Sequence, residues 1–445
     1  MEVITISRGF MKRFAGVPSG EVTPLPRPET VALSTLDIPF VRPKLLVKEG
    51  ERVETGTPVF CDKRDRTILF ASPGSGRIKT IVYGQRRQLR EVVIALEPKD
   101  DFLKSAPLFD EELAHWSREA LIDHLKQGGL WPFFRQLPAG DTADARHTPP
   151  MIIVSLEGNE PCAPDPRAVL DRFGPAFAAG VAMLEKLTGR VVVTARKSRL
   201  ERPGPLSDHV THTVPDDYPC WHPAVVLFHL KKSAADNSAW HIQGYHLAVV
   251  GHFLMTGQWL VEKIMSITGI SGETSQVLTR PGAPIRLLTG DTAQEETITT
   301  GMFTGREVLP ESHLGLFENS LTTMAHGAKE QLFGFIKPGV DVPTASRAFA
   351  SAFLKRRGTV DATRHGEERA CINCSYCEKI CPNDLMPGFI MKSLVCDDME
   401  EALEMGLMDC AGCGLCSYAC PCKIELAEIL AEGMAAHHRD KVSTG

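Results

Sequence analysis

The sequence predicts a multidomain α+β protein, and three observations carry that prediction. Residues 31–98 alternate apolar and polar positions between Gly and Pro turns, the period of half-buried strands. Around residues 151–194 the order is strand, helix, strand, which suggests a parallel sheet. Beyond residue 344 the chain is helix-prone and carries two closely similar cysteine runs. Boundaries follow at 1–100, 101–271, 272–343 and 344–445, and 445 residues accommodate about three or four domains of ordinary size.

The first unit opens with a lead-in at Pro24, Pro26 and Pro28 and continues as a small all-β module. Its segments 47–58 (VKEGERVETGTP) and 72–78 (SPGSGRI) resemble the biotinyl/lipoyl carrier fold, a barrel-sandwich hybrid. True carriers modify a lysine at a hairpin tip, and Lys63 falls near that place. The biotin-type Met-Lys-Met is absent and the loop before Ser72 is longer than the lipoyl pattern, so a structural barrel is expected.

In the second unit, Leu113, Trp116, Ala120, Leu121, His124 and Leu125 recur at helical spacing across 108–127. Residues 151–155, 190–194 and 224–228 read as buried strands, 166–187 as a helix, and 257–268 as a second helix covering the sheet. The expected fold is Rossmann-like α/β. Short strands and Gly-rich turns return over 272–342 as a β-grasp-like domain, and residues 399–405 form a helix between the cysteine runs.

Those runs are Cys371-x2-Cys374-x2-Cys377-x3-Cys381-Pro382 and Cys410-x2-Cys413-x2-Cys416-x3-Cys420-Pro421. Each has the spacing by which three thiolates hold one [4Fe–4S] cube while the fourth, before a proline, reaches the other cube. Cys371, Cys374, Cys377 and Cys420 would then bind cluster 1, and Cys410, Cys413, Cys416 and Cys381 cluster 2. Zinc normally takes four ligands as two CxxC or CxxH pairs and needs neither the duplication nor the Cys-Pro endings. Soft sulfur stabilises both iron oxidation states, so the implied chemistry is one-electron transfer. Cys396 and Cys422 are spare thiols.

Composition adds exclusions. With 43% hydrophobic residues, 23% charged residues and a formal net charge of −6, the chain has no nucleic-acid footprint. Ten of the 13 cysteines follow position 370, and cluster thiolates must stay reduced during assembly, which favours a cytosolic setting over disulfides. The first residues lack a secretory pattern, so export is not expected. The most apolar long stretch, 245–265, contains His246, His252, Gln258, Glu262 and Lys263, too polar for a membrane span.

A nucleotide site is not evident. No GxGxxG occurs, and Gly128 and Gly129 are followed by Trp131 and Phe133, too bulky for a phosphate loop. His209, His212, Cys220 and His222 have loose metal-like spacing in a segment that reads as a surface loop.

The motif order resembles NqrA, a component of the sodium-translocating NADH:quinone reductase, and RnfC, its relative in the Rnf electron-transport complex. Arg8-Gly9, 15–18 (AGVP), Arg42-Pro43, 129–135 (GLWPFFR) and 222–224 (HPA) look NqrA-like, whereas 371–382 and 407–421 look like the Rnf dicluster domain, whose cysteines ordinary NqrA lacks. Rnf-type flavin sites carry a GGAGFPT-like loop where this chain has residues 128–135, and their acidic segment is partly kept as Glu157 and Glu160. The resemblance therefore implies a degenerate flavin site without FMN.

It also implies a peripheral subunit on the cytoplasmic face, docked to membrane-embedded and flavin-bearing subunits. Two [4Fe–4S] clusters would relay electrons between NADH or another soluble donor and quinone, with NADH, quinone and sodium transport belonging to the whole complex. The rival expectations are an FMN-dependent NADH oxidoreductase with a soluble acceptor, and a docking subunit with structural clusters.

Overall fold

The computed structural model describes residues 1–10, 20–108, 115–201, 204–291, 296–325, 336, 338–340, 350–354 and 368–444. Leu113, the 15–18 motif and most of 344–367 lie outside them.

The N-terminal unit is the barrel-sandwich hybrid. Four strands run in the order Thr30–Ser34, Leu89–Leu96, Gly76–Tyr83, Arg52–Val53, and three in the order Pro43–Leu45, Pro58–Asp62, Leu69–Ala71. Val31, Leu33, Val59, Phe70, Ile78, Val92 and Ile94 fill the space between them. Lys63 is exposed at the hairpin turn after Pro58–Asp62.

The second unit is a seven-stranded, mainly parallel sheet with helices on both faces. Strand order is Glu2–Val3, His212–Val214, Val191–Arg196, Ile152–Ser155, Trp240–Gln243, Arg135–Gln136, Asp141–Thr142, the last two antiparallel. Side-chain alternation makes the two faces. Ile152, Val154 and Val193 join the core that holds Pro166–Leu187 and Gly244–Thr256, while Ile153 and Val192 pack with Val225 and Val226 on the other face.

Pro166–Leu187 forms over its whole expected span because Asp165 caps it, accepting the Arg167 N–H at 3.0 Å, and Pro166 starts it. Three expectations are corrected. The expected 108–127 helix is interrupted: among the described residues Arg118–Gln127 is a helix with Ser117 as its N-cap, and Trp116 and Ser117 separate it from the helical His115. Residues 224–228 are not a strand but belong to the helix Pro223–Leu230, capped by the His222 ring. The second helix is Gly244–Thr256 rather than 257–268. Gly257, at φ 68°, ends it as a left-handed cap, and Lys263–Thr268 is a strand.

Pro166–Leu187 and Gly244–Thr256 approach closely. A Cβ at Gly251 would lie 1.7 Å from the Ala176 carbonyl oxygen and 2.7 Å from the Gly180 nitrogen. Gly251→Ala is expected to force the helices apart and cost about 2 kcal/mol, read as a lower urea midpoint of the full chain.

The third unit is a six-stranded mixed sheet with the short helix Ile285–Thr289, in keeping with a β-grasp-like domain. Its strand Lys263–Thr268 lies before residue 272, and Val22–Pro24 from the N-terminal segment pairs along its edge. The three units meet at one loop. The Asp37 carboxylate of the barrel accepts the Phe317 N–H at 2.7 Å, and the His246 ring of the α/β unit bonds the Leu316 carbonyl through Nε2 at 3.2 Å.

The C-terminal unit is helical: Tyr376–Ile380, Pro387–Val395, Met399–Glu404, Leu415–Ala419 and Leu426–Thr444. It has its own core around Ile390, Ala402, Leu407 and Leu430, and it docks on the second face of the α/β sheet through Ile380, Leu415 and Ala419. No helix among the described residues is long and apolar enough to cross a membrane.

Candidate metal centre

The two cysteine runs fold as a repeat. Tyr376–Ile380 and Leu415–Ala419 pack on one another, carry the third cysteines (Cys377, Cys416), and end at the fourth (Cys381, Cys420) as C-caps. Before each helix the backbone turns left-handed twice, at Asn373 and Ser375 (φ 55° and 57°) and at Gly412 and Gly414 (φ 63° and 78°). A third such turn follows each Cys-Pro, at Asp384 and Lys423. Alternation of this kind aims successive amides into one concavity, where anionic sulfur is stabilised.

Those amides reach the sulfurs. Gly412 N–H points to the Cys410 sulfur at 3.4 Å, Leu415 N–H to Cys413, and Ser417 N–H to Cys416. In the other set, Gly388 and Glu378 donate to Cys377, while Ile424 and Cys422 donate to Cys420.

The structure brings the thiols together around two cavities. Cys371, Cys374, Cys377 and Cys420 line one, with Met386, Phe389 and Leu426 as apolar wall. Cys381, Cys410, Cys413 and Cys416 line the other, walled by Leu385, Leu415 and Leu430. Among the described residues no three His, Cys, Asp or Glu side chains converge on a single-ion point. Sulfurs on the corners of an iron–sulfur cube do not converge that way either, since each binds a different iron. Four thiols, amide donors and apolar walls therefore fit a polynuclear cluster.

Burial pushes the Cys410 thiol up to about 11 and raises Cys413, Cys416, Cys377, Cys381 and Cys420, with neighbouring thiols adding to the rise at Cys377, Cys410, Cys413, Cys416 and Cys420. Without iron these groups hold their protons, so cluster insertion must release them. Cys422, two positions after Cys420 and 3% exposed, is a fifth thiol on the first cavity. Cys396 is exposed.

The cavities are held against the body by specific contacts. Tyr218 donates its hydroxyl to the Cys413 carbonyl at 2.8 Å. His229 Nε2 bonds the Pro382 carbonyl at 2.9 Å, and Arg8 pairs with Asp384 at 3.0 Å. Around Tyr218 sits an aromatic group that sequence reading missed. Phe303 stacks on Tyr218 at 4.8 Å, and Phe10 and Phe303 contact Tyr418 at 5.2 and 5.3 Å.

Glu157 and Glu160 lie behind that group, both buried. Glu157 pairs with Arg196 at 2.9 Å, and Arg196 stacks over Trp221, whose indole N–H donates to the Gly158 carbonyl at 2.7 Å. Glu160 accepts the amides of Met302, Phe303 and Thr304 at 2.9, 3.0 and 2.9 Å, and burial raises its pKa against the pull of those donors. The chain itself thus takes up both carboxylates. In the 128–135 loop, Trp131, Phe133 and Phe134 are buried, and Phe133 stacks on His246 at 4.5 Å.

His209, His212, Cys220 and His222 are not gathered on a metal. His222 caps a helix, His212 faces Glu2 at 3.2 Å, and the His209 ring lies 5.2 Å from Phe177.

Fold and site together define an electron-transfer subunit of an Nqr/Rnf-like complex. Family models match in three places: the NqrA N-terminal barrel-sandwich hybrid domain over 4–97, the NqrA second alpha/beta domain over 116–259, and a 4Fe-4S dicluster domain over 370–424. The NqrA protein of the Na(+)-translocating NADH-quinone reductase from Serratia proteamaculans is 31% identical, over 96% of this chain and 98% of its own length. Its counterparts from Rhodopirellula baltica and Tolumonas auensis are 28% and 27% identical, covering 98% and 96% of this chain and 98% of each relative. The chain belongs to the NqrA family, in a form with a dicluster domain. A solved NAD+-reducing [NiFe]-hydrogenase chain superposes at a TM-score of 0.31 and 10% identity, over 67% of this chain and 57% of that one, too remote to inform function.

Proposed function

We propose that Cys371, Cys374, Cys377 and Cys420 hold one [4Fe–4S] cluster and Cys410, Cys413, Cys416 and Cys381 a second, and that the protein relays electrons between a soluble donor such as NADH and quinone or membrane subunits. The observation that carries this reading is the pair of four-thiol cavities, each drawing on both runs. When bound, the clusters supply one-electron carriers. The chain's own residues exclude water from the sulfurs and direct amide dipoles at them, which sets the potential.

The protein sits at the cytoplasmic face, docked to membrane-embedded and flavin-bearing partners, with sodium coupling a property of the whole assembly. The names of the NqrA relatives support NADH and quinone at that level. Electrons enter this chain from a neighbouring subunit, because Glu157 and Glu160 are engaged within the chain and bulky aromatics fill the 128–135 loop.

Anaerobically purified chain is expected to show iron–sulfur absorbance that dithionite bleaches fully and NADH does not, with or without added FMN. Rapid bleaching by NADH would place the entry site in this chain and overturn the relay reading.

A further inference from the structure

Among the described residues a third cavity, about 490 Å³, opens between the barrel-sandwich domain and the C-terminal helix Leu426–Thr444. That volume falls in the range of small-molecule sites. One part of its wall is apolar, formed by Leu36, Ile38, Phe40 and Val442, and the rest carries Arg42, Arg64 and Arg439. No lining residue is acidic.

The arginines differ in what they face. Arg64 is neutralised from behind, pairing with Asp62 and Asp141 at 2.6 Å each, and Asp141 also holds His438 at 2.9 Å. Arg42 meets Asp62 only through its backbone N–H, at 3.3 Å, and the guanidiniums of Arg42 and Arg439 form no ion pair among the described residues. Phe40 is at φ 64°, a left-handed conformation that bulky residues rarely adopt, with its ring 4.6 Å from the His438 ring. Strain at the wall of a cavity is where function is to be sought.

We propose that this cavity binds a small amphiphile bearing a phosphate, its apolar body against Leu36, Ile38, Phe40 and Val442 and its phosphate on Arg42 and Arg439. Two unpaired guanidiniums call for two negative charges, which a phosphate monoester supplies and a single carboxylate does not. The planar guanidinium also matches phosphate oxygens in bidentate fashion. The same chemistry is offered by a soluble monoester and by a lipid headgroup. Bound ligand would tie the C-terminal helix, which packs on Pro387–Val395 beside the first thiol cavity, to the barrel.

Hexyl phosphate titrated into the full chain by calorimetry is expected to bind saturably, at least about tenfold tighter than inorganic phosphate or hexanol. Co-sedimentation with phosphatidylcholine vesicles with and without phosphatidic acid tests the lipid source. Binding in either arm that weakens by about tenfold or more in R42A/R439A, and also in V442E, supports the site. Melting temperatures of the unliganded variants confirm that they fold. The proposal is overturned if neither probe binds, if the only binding is of hexyl phosphate no tighter than inorganic phosphate, or if binding survives R42A/R439A or V442E.

Discussion

Replacing Cys374 and Cys413 together with Ala is expected to abolish electron flow through the protein and to cut bound iron from about eight atoms per chain to almost none. Each alanine removes a thiolate from a different cavity and leaves one iron corner to solvent. Cys374→Ala or Cys413→Ala alone should leave about four irons, because the second cavity keeps all its thiols. The Tyr218 hydrogen bond runs to the Cys413 backbone carbonyl, so it survives the substitution. The main cores of the barrel and α/β units contain no cluster cysteine, so their melting transition should persist. Iron content, electron paramagnetic resonance after dithionite and thermal melting of the double variant read these effects. Normal electron flow in that variant would falsify the relay.

How much of the molecule is legible in its sequence depends on whether the signal is local. Pro166–Leu187 is legible to the residue because Asp165 and Pro166 mark its start and an apolar stripe marks its face. Residues 224–228 are not, since a short apolar run has no period that separates a buried strand from a buried helix. The His222-Pro223 pair before it is a cap followed by a helix-starting proline, and that signal was available. Gly257 reads in sequence as the opening of a helix, whereas its left-handed backbone closes one. In the site, cysteine spacing points to both thiol sets, whereas Phe10, Tyr218, Phe303 and Tyr418 come from four separate stretches and meet only through tertiary packing.

Glu160→Ala is expected to be among the most destabilising single changes outside the cysteines, although the family resemblance places Glu160 in a degenerate flavin site. Its carboxylate holds the turn after Gly301 by accepting three backbone amides and the Thr304 hydroxyl. Alanine would strand these donors in a site where Glu160 is only 7% exposed. Each buried unsatisfied group costs about 1–3 kcal/mol, and partial hydration leaves a net loss of roughly 3 kcal/mol or more. The effect should reach the clusters, because the turn presents Phe303 to Tyr218 and Tyr418. A Cβ at Gly414, beside Cys413, would sit only 2.7 Å from the Phe303 carbonyl oxygen, so the turn packs directly on the second cysteine run. Glu160→Gln keeps one acceptor oxygen and points an amide donor at other donors, so it should lose about half as much. Urea denaturation gives the stability loss, and the rate of iron release to a chelator reports the loosened second cavity. If Glu160→Ala releases iron as slowly as the parent chain while its urea midpoint falls, the turn supports the body and not the cluster domain.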